Sequence, residues 1–229
     1  ARSPDMSMLT DIVAAIAPLK HARANLGVWM KPQKRKVTPA ALGLLGARAE
    51  VRYQPKGVVG VMTPWNFPVQ LSFDAIAGAL GAGNRVMLKP SEFTPATGAL
   101  MAQLIDLYFD DDELAVVLGG GDVGAAFSGL AFDHLIFTGA TSVGRHVMRA
   151  AAENLTPVTL ELGGKSPVII GRGADMAKSA ARIMAGKAMN AGQVCLAPDY
   201  VLTPHESLDT FVKEAVAAGT SNHRGWKCH

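Results

Sequence analysis

The sequence predicts an α/β fold built on a doubly wound, mostly parallel sheet, with the start of a second α/β domain behind it. Three observations predict it. From Gly57 onward the chain repeats short apolar runs that do not alternate with polar residues, as strands buried on both faces require. Each run stops at a Gly, Pro, Ser or Thr cluster, and each stop is followed by an alanine-rich stretch of helical composition. That rhythm is the mark of successive β-α units, and here it amounts to about five strands.

The elements can be taken in order. Met8 to Lys20 places Leu9, Ile12, Val13, Ile16 and Leu19 on one face at helical spacing, which reads as an amphipathic helix. Pro32 to Pro39 is basic and bounded by prolines, and reads as a surface connection. Ala49 to Gln54 alternates apolar with polar residues, the pattern of a strand with one wet face. Val58–Met62 is the first apolar run, stopped by Thr63-Pro64, and the helix after it covers Val69 to Leu80. Arg85–Lys89 is the second, stopped by Pro90-Ser91-Glu92; its helix, Thr97 to Phe109, sets Leu100, Leu104 and Leu107 on one side. Leu114–Leu118 runs into three glycines, 119 to 121, before a short alanine-rich helix. Leu135–Phe137 meets Thr138-Gly139 ahead of a helix from Val143 to Ala152, and Val158–Leu162 ends at Gly163-Gly164. Ligands of such sheets lie at the carboxyl ends of the strands, where nearly all of these clusters fall.

Composition removes several classes of function. Hydrophobic residues make up 49% of the chain, enough for a real core and against disorder. Net charge is +3, and the longest basic run is Lys34-Arg35-Lys36, so no nucleic-acid partner is implied. Asp74, Arg85, Asp122 and Asp133 interrupt the apolar segments before they reach the ~18 residues of a membrane span. With two cysteines, Cys195 and Cys228, there is neither a disulfide framework nor a cysteine-rich metal site. The expected compartment is the cytoplasm. His134 has no second histidine at HExxH spacing and reads as structural, so no metal is expected.

Several residues remain as candidates for chemistry. A G-x-G-x-x-G pattern stands at Gly119, Gly121 and Gly124, and a second phosphate turn is equally open at Phe137-Thr138-Gly139-Ala140, ahead of Val143 and Gly144. The second can instead be a glycine turn that lets helix and strand pack closely. Lys89 and Glu92 flank a proline turn where a carboxylate can accept from a ribose hydroxyl, or they form an ordinary ion pair. Cys195 lies in a turn of small residues, Asn190 to Val194, that can hold a sulfur at the mouth of a cleft; the alternative is a buried structural cysteine. Glu161 ends an apolar strand, where burial would strengthen it as a base. Asn66, between Pro64 and Pro68, is a stiffly held amide suited to a developing oxyanion.

Taken in order, Pro64-Trp65-Asn66-Phe67-Pro68, Lys89-Pro90-Ser91-Glu92, Phe137-Thr138-Gly139, Leu160 to Pro167 and Gly192-Gln193-Val194-Cys195 resemble the aldehyde dehydrogenase superfamily, from about Gln54 to Val212. Leu155 to Glu161 and Cys195 to Tyr200 are similar to its class-3 and coniferyl aldehyde dehydrogenase branch. The resemblance implies a Rossmann-like domain over residues 1–163, with a strand excursion near 47–56 toward an oligomerisation interface, and a partial catalytic domain over 164–229. It implies Cys195 as nucleophile, Asn66 as oxyanion donor and Glu161 as base. NAD, with NADP possible, would lie along Thr63, Pro64 and Trp65, with Lys89, Ser91 and Glu92 near the adenosine ribose. Gly121 would stand toward the adenine edge, while Phe137, Thr138, Gly139, Ala140 and Val143 would face phosphates and nicotinamide, and Leu162 and Gly163 would close the site.

The substrate implied is an aromatic or medium-chain aldehyde, and the whole enzyme is expected to be a homodimer. The chain reads as truncated, without the family's C-terminal dimerisation strand, and its sequence looks atypical from about Ala218. Low turnover by this chain alone is therefore expected. Two other readings stay open here: an inactive nucleotide-binding fragment, and a conventional alcohol or hydroxy-acid dehydrogenase that uses the Gly119 loop and needs no cysteine.

Overall fold

A computed structural model describes residues 2–223 and divides into two compact units, Ser3–Glu161 and the chain from Leu162 onward. The first unit begins with α1 (Pro4–Ser7), a π-helical stretch (Met8–Val13) and α2 (Ala14–Trp29). The apolar stripe expected to face inward is exposed: Leu9, Ile12, Val13, Ile16 and Leu19 range from 36% to 63% accessible. The helix instead buries Asp11 and Ala15. The Asp11 carboxylate accepts from the backbone N–H groups of Val69 and Gln70 at 3.0 and 2.9 Å, so a polar contact sets the helix rotation.

The stretch expected to be a plain connection contains β1 (Gln33–Arg35), which pairs antiparallel with β2 (Ala49–Val51) across α3 (Ala40–Leu44). Both strands are exposed, and their register sets Gln33 opposite Val51.

Five strands form the central sheet: β3 (Val58–Met62), β4 (Arg85–Lys89), β5 (Leu114–Val116), β6 (His134–Gly139) and β7 (Val158–Leu162). Their spatial order is β5-β4-β3-β6-β7. The β3–β4, β3–β6 and β4–β5 pairs are parallel, so chain order reverses around β3, where such sheets bind ligands. Val61, Leu88, Leu114 and Leu135 are at most 1% accessible, each contributing ~1.5–3 kcal/mol through burial. Strand β7 differs from expectation. It lies at the sheet's edge and alternates half-buried with exposed residues, which leaves Glu161 exposed rather than buried.

Helices α4 (Pro68–Gly81), α5 (Pro95–Tyr108), α6 (Gly121–Ser128) and α7 (Thr141–Ala152) join these strands. In α5 the buried face is Gly98, Met101 and Ile105, while the leucine side at 100, 104 and 107 is exposed. His134 hydrogen-bonds Thr159 Oγ1 through Nε2 at 2.9 Å. Burial, reinforced by the Lys56 charge, lowers the pKa of His134, whereas burial raises that of Asp74 against an opposing hydrogen bond from Gln70. His134 Nδ1 is buried with no hydrogen-bond partner.

The second unit contains β8 (Ser166–Ile169), α8 (Met176–Ala188), a 3-10 turn (Met189–Gly192), β9 (Pro198–Leu202), a second 3-10 turn (His205–Ser207) and α9 (Leu208–His223). β8 pairs parallel with β9. The segment whose sequence looks atypical from about Ala218 is helical to His223; the rest of that tail, with Cys228, lies outside the described residues. Among the described residues no helix is long and apolar enough to cross a membrane, and no cluster of three His, Cys, Asp or Glu suits a metal ion.

Candidate active site

At the carboxyl ends of β3, β4 and β6 a cleft of about 320 Å3 opens toward α6 and α7. The cleft is bounded at β3 by the Thr63-Pro64-Trp65 turn, at β4 by Lys89, Ser91 and Glu92, and at β6 by Phe137, Thr138 and Gly139. These turns take their shape from local chemistry. Thr63 Oγ1 lies 2.8 Å from Ser72 Oγ, which donates to Pro68 O at 2.6 Å, so the β3 turn is tied to the first turn of α4. Ser91 Oγ accepts from the Phe93 N–H at 3.2 Å and closes the β4 turn. At Gly139 a Cβ would come within 2.6 Å of the Phe137 ring, so any larger residue there would displace that ring.

Lys89 supplies the central charge of the cleft. It is 4% accessible, and its Nζ donates to Gly119 O at 3.1 Å and Pro90 O at 3.4 Å and stands 3.6 Å from the half-exposed Glu92 carboxylate. Gly119 itself cannot carry a side chain, since a Cβ would lie 2.4 Å from Val123. The glycine pattern therefore presents a carbonyl to Lys89 at its first position, while Gly121 and Gly124 line the cleft. Helix α7 opens at Ala140, which supplies no side-chain cap, so its first amides are available to an anion.

Sequence reasoning missed Met62, Phe93, Ala125, Ser128, His146, Val147 and Ala150, which also line the cleft. Helical spacing was the available signal. On α6, Gly121, Gly124, Ala125 and Ser128 follow one face at steps of three and four, and on α7 Val143, His146, Val147 and Ala150 do the same. Ala140 caps α7, Leu162 ends β7 and Gly163 follows it; none of the three lines the cleft. Asn66 is half-buried, one residue beyond Trp65.

In the second unit Cys195 is a free, exposed thiol, in contrast with the buried structural alternative. The turn before it is unusual: Asn190, Ala191 and Gly192 have φ of 49°, 56° and 78°, three consecutive residues in the left-handed region. Asn190 O accepts from the Gln193 N–H at 3.1 Å, and Val194 O accepts from the Ala197 N–H at 3.0 Å. These bonds hold the backbone on both sides of the sulfur. Gly164 lies against the Cys195 carbonyl, which a Cβ would approach to 3.9 Å.

Comparison with known proteins identifies the family. The aldehyde dehydrogenase family profile matches residues 8–225, well beyond the Gln54–Val212 span of the motif resemblance and past Ala218. The chain belongs to the aldehyde dehydrogenase family. It is 66% identical to a probable coniferyl aldehyde dehydrogenase of Caulobacter vibrioides, over 95% of this chain and 45% of that protein. It is 58% identical to a coniferyl aldehyde dehydrogenase of a Pseudomonas species, over 93% of this chain and 44% of that one. Among solved aldehyde dehydrogenases, a Mycobacterium tuberculosis enzyme complexed with NAD+ superposes with a TM-score of 0.86 at 31% identity, covering 96% of this chain and 44% of the other. The substrate-bound state of Staphylococcus aureus AldH gives 0.87 at 38% identity, covering 93% and 46%. The chain thus spans about 45% of the length of these two curated relatives.

Proposed function

We propose that residues 1–163 bind NAD, or NADP, and that residues 164–229 begin the catalytic domain of an enzyme that oxidises an aromatic or medium-chain aldehyde of the coniferyl type to its acid. One observation carries the reading: a single cleft at the strand ends gathers Trp65, Lys89, Glu92, Gly121 and Gly139 from four separate turns. The cleft suits a dinucleotide. Glu92 offers an acceptor for ribose hydroxyls, Gly124, Ala125, Val147 and Ala150 offer small apolar walls for a planar base, and the α7 amides suit a pyrophosphate. A carboxylate at position 92 favours NAD, because a 2′-phosphate would meet like charge. Similarity to an NAD+ complex and to two coniferyl aldehyde dehydrogenases supports both assignments.

The chemistry assigned to the chain's own residues is nucleophilic. The Cys195 thiolate adds to the carbonyl carbon, forming a carbon–sulfur bond and placing negative charge on the oxygen. The Asn66 amide donates to that oxygen, a contribution of ~3 kcal/mol for a well-aimed donor. When bound, the nicotinamide cofactor supplies the hydride acceptor. Water then attacks the resulting thioester as Glu161 takes its proton, releasing the carboxylic acid and the thiolate.

We also propose that the complete enzyme is a cytoplasmic homodimer, with the exposed β1–β2 sheet as a pairing edge; light scattering tests that point. The function is tested by titrating NAD into the chain and by assaying coniferyl aldehyde oxidation in the complete enzyme with and without Cys195→Ser. NAD binding without oxidation is expected of the variant. Failure of the wild type to bind NAD, or normal oxidation by the variant, overturns the respective assignment.

A further inference from the structure

We propose that Asp11 is a positioning residue: from the N-terminal helix it caps α4 and so holds the turn that presents Pro64 and Trp65 to the cofactor cleft and carries Asn66. The inference builds on the cofactor reading above but concerns a residue that no motif includes. Asp11 is 3% accessible, in the π-helical stretch Met8–Val13, where an extra residue in the helical turn redirects side chains.

The need for the cap lies in α4 itself. Its N-cap position is Phe67, whose side chain accepts no hydrogen bond, and its first residue is Pro68, which has no N–H. The next orphan donors are Val69 and Gln70; the N–H of Leu71 is already bonded to Phe67 O at 3.0 Å. Asp11 Oδ1 accepts from both orphan donors, at 3.0 and 2.9 Å. A carboxylate from elsewhere in the chain therefore does what Ser, Thr or Asp at position 67 would do in an ordinary helix. It also sets negative charge at the positive end of the α4 dipole. Phe67 is 8% accessible, so position 67 is given over to packing.

The turn Thr63–Phe67 is short and tied at both ends. The Thr63 N–H donates to Lys89 O at 3.2 Å, and the other end is the first turn of α4. Fraying that turn moves Phe67 and with it the backbone of Asn66 and Trp65. Trp65 stands in the cleft wall, so a loosened α4 terminus reaches the cofactor without any change in the groups that touch it.

The test compares Asp11→Ala with Asp11→Asn, which keeps an acceptor oxygen, and with Asp175→Ala. The last removes a cap of the same kind from α8, where the Asp175 side chain accepts from the Lys178 N–H at 3.0 Å. Asp11→Ala is expected to weaken NAD binding about tenfold and to shift or broaden the Trp65 indole N–H resonance. Asp11→Asn should stay within about threefold of wild type. Asp175→Ala should lower the melting temperature and leave NAD binding alone. Asp11→Ser, whose hydroxyl is too short to serve both amides, should fall between and replaces the alanine variant if that does not fold. NAD binding within twofold of wild type in Asp11→Ala, an equal loss in Asp175→Ala, or an unchanged Trp65 resonance overturns the proposal. The resonance is read without cofactor, so failure of the wild type to bind NAD would count against the cofactor reading and not against the role of Asp11.

Discussion

Lys89→Met is the most informative single substitution in the cleft. Methionine keeps an unbranched apolar stem of similar reach and removes the ammonium, so packing beside Gly124 is preserved while charge is lost. The ammonium donates to Gly119 O and Pro90 O and faces Glu92 at 3.6 Å. Hydrogen bonds to a charged group are worth ~1.5–3 kcal/mol each. Burial of the ammonium offsets part of that, leaving ~2–3 kcal/mol of lost stability. For a chain of this size that is a fall in melting temperature of about 4–12 °C. If Lys89 also donates to a ribose hydroxyl, losing one charge-assisted bond weakens NAD binding about ten- to hundredfold. Isothermal titration of the folded variant at a temperature well below its transition separates the two effects. NAD affinity within twofold of wild type, with the fold intact, would refute the assignment of Lys89 to the cofactor.

Other perturbations probe other parts of the molecule. At Gly124 a Cβ would stand 3.4 Å from Lys89 Cε and 3.7 Å from Met62 Cε, so Gly124→Ala should bind NAD normally, whereas Gly124→Leu should fill the cleft and lose binding, as titration will show. The pKa of His134 is lower in the folded chain than its ordinary 6.5, so its contribution to stability is present above that value and is lost as pH falls through the folded one. His134→Gln should accordingly lose less melting temperature than wild type on acidification from neutral pH, measured by circular dichroism. Ala191 has φ of 56°, which a β-branched residue resists, so Ala191→Val should cost about 1 kcal/mol or 2–4 °C in a thermal melt.

Much of the central sheet was legible because β3, β4 and β7 are bounded by residues that stop strands for local reasons, prolines and glycines above all. The cleft was legible for the same reason: strand ends, turn residues and ligand position coincide in doubly wound sheets. Helix rotation was not. Both the N-terminal helix and α5 expose a stripe of large apolar side chains and bury a different face, Asp11 and Ala15 in one, Gly98, Met101 and Ile105 in the other. Periodicity identifies a face but not what it meets; a long-range hydrogen bond such as Asp11 to Val69 and Gln70 spans 58 or more residues and leaves no local trace. Glu161 fails differently. Its neighbours are apolar, but an edge strand buries only alternate residues, and strand order cannot be read from a run of five. The pairing of β1 with β2 escaped because Lys34 and Arg35 are polar on both faces, the composition of a loop.

The orientation of a single peptide at Gly119 separates two meanings of the same text. In an anion-cradling glycine loop the amides converge on the phosphate, so the loop is a positive pole. Here the peptide oxygen of its first glycine is turned to a lysine and serves as a negative one. A pattern search would select these glycines as a phosphate grip, yet at that peptide the polarity is inverted, and what the lettering records is a clasp that orients a cation.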